Sequence, residues 1–580
     1  MRSQADPKPC PNGHAQTPRF KECRAAPPAS THLTSLSWML RRNAIPSLPY
    51  FTMALDGQHP IIPGFAPDPS ICLIGDTFFL VNSSFHLFPG LPIYTSSDLV
   101  SWTHIGNAMN RRSQLSLSRA TTWITPWDDG TSLVATGGLY APTIRHHKGI
   151  TYIICTNVVH ESNTPGDEHS EQFILHTTDI HSGLWSDPII FPFPGIDPSL
   201  LFDDEKTYVQ VCKTGPQFQI FNFEVDIATG KMLTEPALIW NGWARSYTEG
   251  PHVYRKDGWY YLLCAEGGTF RHHMLSIARS RSIWGPFESY SKNPLYSADG
   301  TDHYVQHTGH GDFFQDQHGQ WWVVMLGVRM AAGRSIMGRE TFLAAVNWPD
   351  DEWPCIDVVP HRDRPDTTPW TTGRGSSPVA AWVYLRDPIL ENYHLQGHRI
   401  TIRASPEGLH QADQAVSFAG QRQRRLVGTA GVTLCNPVPG HAILSQAGLT
   451  LYKDEHRSLT IAYDFPAKQV IFGGLNRSKS YRVKHTHAVK LEGSIQFQIR
   501  YTERSLGFFF LHDSAGPWQC MQLVDTAVMT DFDFTGPVIG MFAVGDGVEV
   551  QFTDFKIDDD THSDCESEPK SPSESSGQLS

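Results

Sequence analysis

Five times between residues 57 and 355 the chain repeats one local pattern: a turn marked by glycine or charge, then a strand rich in aromatic and aliphatic residues. The runs are DTFFLVNSSF, GITYIICTNV, KTYVQVCK, GWYYLLCAEGG and GQWWVVMLGV. They follow the turns Gly75-Asp76, Lys148-Gly149, Asp203-Asp204, Asp257-Gly258 and His318-Gly319. Several tens of residues separate one repeat from the next. That is too long for a hairpin meander and suits blades of a propeller, each a four-stranded sheet. Aromatic residues make up 11% of the chain and charged residues only 18%, with Gly and Pro plentiful, as an all-β protein of many short strands requires. The expectation is a five-bladed β-propeller over residues 56–355.

At 580 residues the chain exceeds one ordinary domain. Residues 356–380, rich in Pro, Gly, Thr and Arg, read as a linker. Strand signals resume at 381–560, as in GLTLYKDE, SLTIAYDF, IQFQIRYTE and VGDGVEVQFTDFKID, and predict a β-sandwich. Residues 1–55 lack a strand pattern and read as a disordered extension, with Met53 a plausible start. The polar, acidic residues 561–580 read as an unfolded tail.

The net charge of −13 argues against nucleic acid or an anionic membrane as partner, since both require clustered Lys and Arg. No apolar run is long enough to span a membrane. The ten cysteines show no CxxC pair, and Cys155, Cys212 and Cys264 read as buried thiols on strands. The sequons at Asn82 and Asn476 matter only in a secreted chain. With neither a signal peptide pattern nor a disulfide framework, the expected location is the cytoplasm, with secretion as the alternative. Oligomeric state is left open.

Three acids stand in apolar segments marked by Pro or Gly, where a charge is unexpected. They are Asp68 in Ala66-Pro67-Asp68-Pro69-Ser70, Asp197 in Gly195-Ile196-Asp197-Pro198-Ser199, and Glu249 in Thr248-Glu249-Gly250-Pro251. The first two share a G-(x)-D-P-S-like form, as equivalent positions on two blades would. Asp-Pro-Ser is also a common turn former, so each aspartate taken alone reads first as a turn residue. Together, on converging inner strands, the acids suit inverting glycoside hydrolysis. One carboxyl protonates the leaving oxygen, and another, about 6.5–9.5 Å away, deprotonates the attacking water.

These segments resemble glycoside hydrolase family 43, its β-xylosidase and α-L-arabinofuranosidase members in particular. PGFAPDPSI, SSFHLFPGLPIYTSSDLVSW, GLYAPTIRHHKG, GIDPSLLFDD and TEGPHVYRKDGWYYLLCAEGGT occur in the family's order. IARSRSIWGPFE, HTGHGDFFQD, WWVVMLGVR and GRETFL follow, and ENYHLQG, SFAGQRQ and AGLTLYKDE resemble its accessory sandwich, which implies a concanavalin-like β-sandwich for the second half. The resemblance implies that Asp68 is the general base, Glu249 the general acid, and Asp197 the residue that tunes and orients the acid. It also implies substrate contacts by Arg339, a forked donor to sugar hydroxyls, and by Phe85 and Tyr140 as aromatic walls. Tyr140 stands where many members carry Trp. His310 resembles the family's axial histidine, which in some members contacts calcium. The alternative there is an axial hydrogen-bonding histidine without metal, because calcium prefers several oxygen ligands. Zinc at His303, His307 and His310 is disfavoured by spacing. No cofactor is required. Residues 533–540 resemble a sandwich loop that closes the pocket, to which Phe534 would contribute; Pro537 and Val538 depart from the usual pair.

The expected activity is exo-acting β-xylosidase on short xylo-oligosaccharides. α-L-Arabinofuranosidase on arabino-oligosaccharides is the alternative, because the two sugars present similar hydroxyls. A non-catalytic sugar-binding propeller and an endo-acting arabinanase are the other readings.

Overall fold

The computed structural model describes residues 60–359, 381–412, 414–435, 443–512 and 516–559. The expected extension at 1–55 and tail at 561–580 lie outside these residues, as does nearly all of the expected linker, from 360 to 380. The described chain is all β, with two short 3-10 turns and no α-helix. Among the described residues no helix is long and apolar enough to cross a membrane.

Five antiparallel sheets follow one another along the chain. Sheet 1 contains Ser70–Ile74, Thr77–Val81, Gly90–Ser96 and Thr103–Met109. Sheet 2 contains Gly138–His147, Ile150–His160, Glu168–Thr177 and Ile189–Phe191. Sheet 3 runs through Ile196–Asp203, Lys206–Lys213 and Gln219–Asp226, and its third strand pairs with both Lys231–Met232 and Ala237–Trp240. Sheet 4 contains Glu249–Lys256, Trp259–Glu266, Met274–Ser280 and Glu288–Ser289. Sheet 5 contains Val305–Gln315, Trp321–Arg329, Glu340–Asn347 and Cys355–Ile356. Every turn-plus-aromatic repeat of the sequence is the hairpin joining the first and second strands of one sheet. At Lys148-Gly149 and Asp257-Gly258 both turn residues have positive φ, the geometry that matches the twist of a two-residue hairpin.

The first strands are tied together by one buried carboxylate. Asp312 on sheet 5 accepts from Arg145 of sheet 2 at 2.7 and 2.9 Å, from Ser70 of sheet 1 at 2.6 Å and from Tyr254 of sheet 4 at 2.7 Å. Burial alone would raise the Asp312 carboxyl, but the charges of Arg145 and His252 and the hydrogen bonds from Arg145 and Ser70 together outweigh it and hold the group well below the usual range.

The second half is a two-sheet sandwich. One sheet has seven strands and the other six, all antiparallel. Val432, Phe497, Phe508 and Phe552 from one face meet Leu449, Ile461, Phe472 and Met541 from the other in one buried core. The halves are knitted directly. Tyr384–Leu385 pairs with Leu87–Phe88, and Phe532–Asp533 adds a parallel strand to the hairpin of Thr122–Pro126 and Ser132–Thr136. Cys155, Cys212 and Cys264 are buried on strands, as expected. Both sequon asparagines are fully buried with their amides hydrogen-bonded, Asn82 to Pro67 O and Asn476 to Val528 O, so neither is open to glycosylation in the folded chain.

Candidate active site

The site grows from one backbone feature repeated on all five first strands. Asp68, Ala141, Asp197, Gly250 and His310 all have left-handed φ, between 33° and 56°. Four of the five precede proline. On sheets 2 to 5 the pairing register breaks at this point, so each first strand carries a bulge. Bulges re-aim side chains, and left-handed φ in non-glycine residues is strain that the surrounding structure must hold in place. The shared G-(x)-D-P-S form of Asp68 and Asp197 marks this equivalence. Glu249 sits one residue before the bulge of sheet 4.

The three acids meet. Asp197 Oδ2 accepts from Gly250 N at 3.1 Å, beside Glu249. Asp68 accepts from Arg339 Nη1 at 3.1 Å and from Ser83 Oγ at 2.6 Å. Its Oδ1 lies 3.8 Å from His310 Nδ1. The His310 ring packs on Gly250 so closely that a Cβ there would approach within 3.1 Å. Asp68 and Asp197 are each 5% exposed, while Glu249 is partly open. Burial, then the charges of Asp197 and Asp68, push the Glu249 carboxyl well above its ordinary range, against the pull of Arg339. Burial, opposed by His310 and reinforced by Asp68, pushes Asp197 up to about 6. Glu249 is therefore a carboxyl whose proton affinity is raised, in the field of two other acids.

Aromatic rings wall the cluster. Phe85 lies 4.9 Å from Tyr140 and 5.8 Å from Phe534, centroid to centroid, and Tyr140 meets Phe534 edge-on at 5.9 Å. The Arg339 guanidinium sits over Phe85 and Phe534 at 5.4 and 5.1 Å, and its Nη2 donates to Phe534 O at 3.2 Å. Arg339 Nε is buried without a partner, a free donor inside a polar site. A cavity of about 490 Å³ opens alongside, lined by Phe270, His307 and Gly338 from the first half and by Thr530, Phe532 and Asp533 from the second. The acids do not line it; it flanks them.

All seven residues singled out in the sequence thus lie in one neighbourhood. Three partners were not singled out. Ser83 bridges Asp68 and the Ala141 bulge, donating to the first and accepting from Ala141 N at 2.7 Å. His273 packs its ring where a Cβ on Gly309 would fall, and Asp312 provides the polar hub. Calcium at His310 finds no support in the donor set. Among the described residues no group of three or more His, Cys, Asp or Glu side chains could hold a metal ion, and one imidazole is a poor calcium ligand.

Proton donation by one carboxyl and proton removal by another is the chemistry of glycosidic hydrolysis, and the acid cluster and all-β fold place the chain among the glycoside hydrolases. Residues 58–354 match Glycosyl hydrolases family 43, and residues 376–557 match the Beta xylosidase C-terminal Concanavalin A-like domain. The chain belongs to glycosyl hydrolase family 43. It is 33% identical over 527 residues to the Non-reducing end alpha-L-arabinofuranosidase of Bacteroides ovatus, across 84% of this chain and 92% of that one. It is 40% identical to the Xylosidase/arabinosidase of Butyrivibrio fibrisolvens over 52% of this chain and 56% of the relative, about half of each. The solved xylan beta-1,4-xylosidase of Bacillus halodurans superposes with a TM-score of 0.72 at 26% identity, over 86% of this chain and 98% of that one.

Proposed function

We propose that the chain is an inverting exo-glycosidase that removes β-D-xylosyl residues from the non-reducing ends of short xylo-oligosaccharides. In this reading the five sheets are the blades of a closed propeller over 56–355, and the sandwich over 381–560 closes one side of its mouth. The observation that carries the reading is the meeting of Asp68, Asp197 and Glu249, with burial and the two aspartates raising the proton affinity of Glu249. Glu249 gives its proton to the leaving oxygen as the bond from the anomeric carbon breaks. Water attacks the opposite face, and Asp68 takes its proton. Asp197 keeps the acid's proton affinity high and holds the Gly250 backbone beside it. Arg339 donates to sugar hydroxyls, and Phe85, Tyr140 and Phe534 bound the cleaved ring. No step calls on a metal or cofactor.

α-L-Arabinofuranosidase activity is the second reading, favoured by the name and long alignment of the Bacteroides ovatus relative. Hydrolysis of an aryl β-xyloside and of an aryl α-arabinofuranoside by the purified chain decides between them. Proton NMR of the first-formed sugar tests inversion. An initial product with the anomeric configuration of the substrate would exclude the Asp68 role.

A further inference from the structure

The strand that brings Phe534 to the site is held by buried charge. Asp533 forms close ion pairs with both Lys453 and Arg457. Arg457 is fully buried and serves three carboxylates. Its Nε donates to Asp454 at 2.8 Å, and its Nη1 reaches Asp531 at 3.2 Å as well as Asp533. Nη2 also donates to Thr535 Oγ1 at 3.3 Å. Asp531 is held further by Asn476 at 2.7 Å and Ser478 at 2.6 Å. Lys453 donates to Met529 O at 3.1 Å. On the other side, Phe532 and Asp533 pair with Leu133 and Val134, and Phe534 N donates to Val134 O at 3.3 Å. Phe534 lies between these two anchorages, and its carbonyl takes the Arg339 nitrogen opposite the one on Asp68.

A buried ion network is weak grounds for stability, because desolvation offsets most of the attraction and apolar residues would hold the hairpin as well. What a forked guanidinium adds is direction, since its donors lie in fixed positions in one plane. We infer that Arg457 is a positioning residue for hydrolysis: by bracing Asp454, Asp531 and Asp533 it fixes the segment 531–535, so that Phe534 and its carbonyl set Arg339 against Asp68. The inference rests on the reading of Asp68 as the base.

The test is a double-mutant cycle on aryl β-xyloside hydrolysis, with the full chain. Arg457→Lys keeps the charge and loses the fork. It should unfold cooperatively and lose at least tenfold in kcat/KM. Phe534→Ala should also lose activity. The double variant should be no worse than the poorer single variant, within threefold, because both changes break one chain of contacts. Arg457→Lys within twofold of wild type overturns the proposal, and so do losses that multiply, because a merely structural role predicts independence. If Arg457→Lys does not fold, Asp531→Asn, which removes one arm of the brace, is read by the same cycle. A wild-type chain inactive on both aryl pentosides sinks the functional reading, and this inference with it; an active wild type with an indifferent Arg457 sinks this inference alone.

Discussion

Burial and two neighbouring acids push the Glu249 carboxyl up, the direction that the proposed role of proton donor needs. Replacing it by Gln removes the donor. Turnover of xylobiose should fall by about 10²–10⁴-fold, while a dinitrophenyl xyloside, whose leaving group needs no proton, should lose far less. Equal losses on both substrates would contradict the acid role. Asp197 is pushed up to about 6, above the ordinary carboxylate value. Its proton is therefore bound more tightly in the folded chain than in the unfolded one. The resulting stability is full below about pH 4 and is lost as pH rises through about 6. Asp197→Asn removes that loss, so its melting temperature should gain on wild type between about pH 4 and 7 in a pH series of thermal scans. With one charge fewer beside it, Glu249 should ionise more easily, and the alkaline limb of kcat/KM should move to lower pH. The acids were legible in the sequence because charge in a Pro- or Gly-bounded apolar run is unusual. Ser83 and His273 were not, because a serine in a strand and an isolated histidine carry no local mark of the partner that tertiary packing brings.

At the scale of elements, the bulge of the first strand in sheets 2 to 5 is the device that builds the site. A regular strand alternates its side chains, and the break re-aims Asp197, while Asp68 takes the same left-handed backbone just before Ser70–Ile74. Gly250 is the sharpest case. Its φ of 56° is in the left-handed region, its N–H serves Asp197, and a Cβ would meet the His310 ring at 3.1 Å. Gly250→Ala should cost about 1–3 kcal/mol in urea unfolding and lower kcat more than tenfold. Wild-type kinetics in that variant would mean that the bulge does not position the acid. The hairpins were readable from turn residues and aromatic runs, since both signals are local. The parallel pairing of Phe532–Asp533 with the distant strand Ser132–Thr136 was not, because two residues have no period and their partner lies about four hundred residues away.

The whole molecule couples its halves. Leu91, Ile93 and Leu139 of the first half belong to the same buried cluster as the sandwich core, and a second cluster behind Phe85 gathers Leu87, Phe418, Tyr452 and Phe542. Glu455 of the sandwich accepts from Thr122 N at 2.6 Å. Calorimetry should therefore show one unfolding transition; two well-separated peaks would show that the halves are energetically independent. The hub at Asp312 belongs to this scale too, since it joins four sheets. Asp312→Asn leaves the partly buried Arg145 without its countercharge and should destabilise by about 1.5–3 kcal/mol, read as a shifted denaturant midpoint.

The sequence by itself determined the all-β class, the five hairpins and the sandwich, and it marked the three acids as out of place, because periodicity, turn chemistry and misplaced charge are written in neighbouring residues. Tertiary structure alone decided which groups face one another. Arg339 reaches Asp68 across 271 residues, and Arg457 governs a strand 74–78 residues further on. Such contacts follow from how sheets pack and strands bulge, and a carboxyl's proton affinity depends on the burial and charge that only the folded chain supplies.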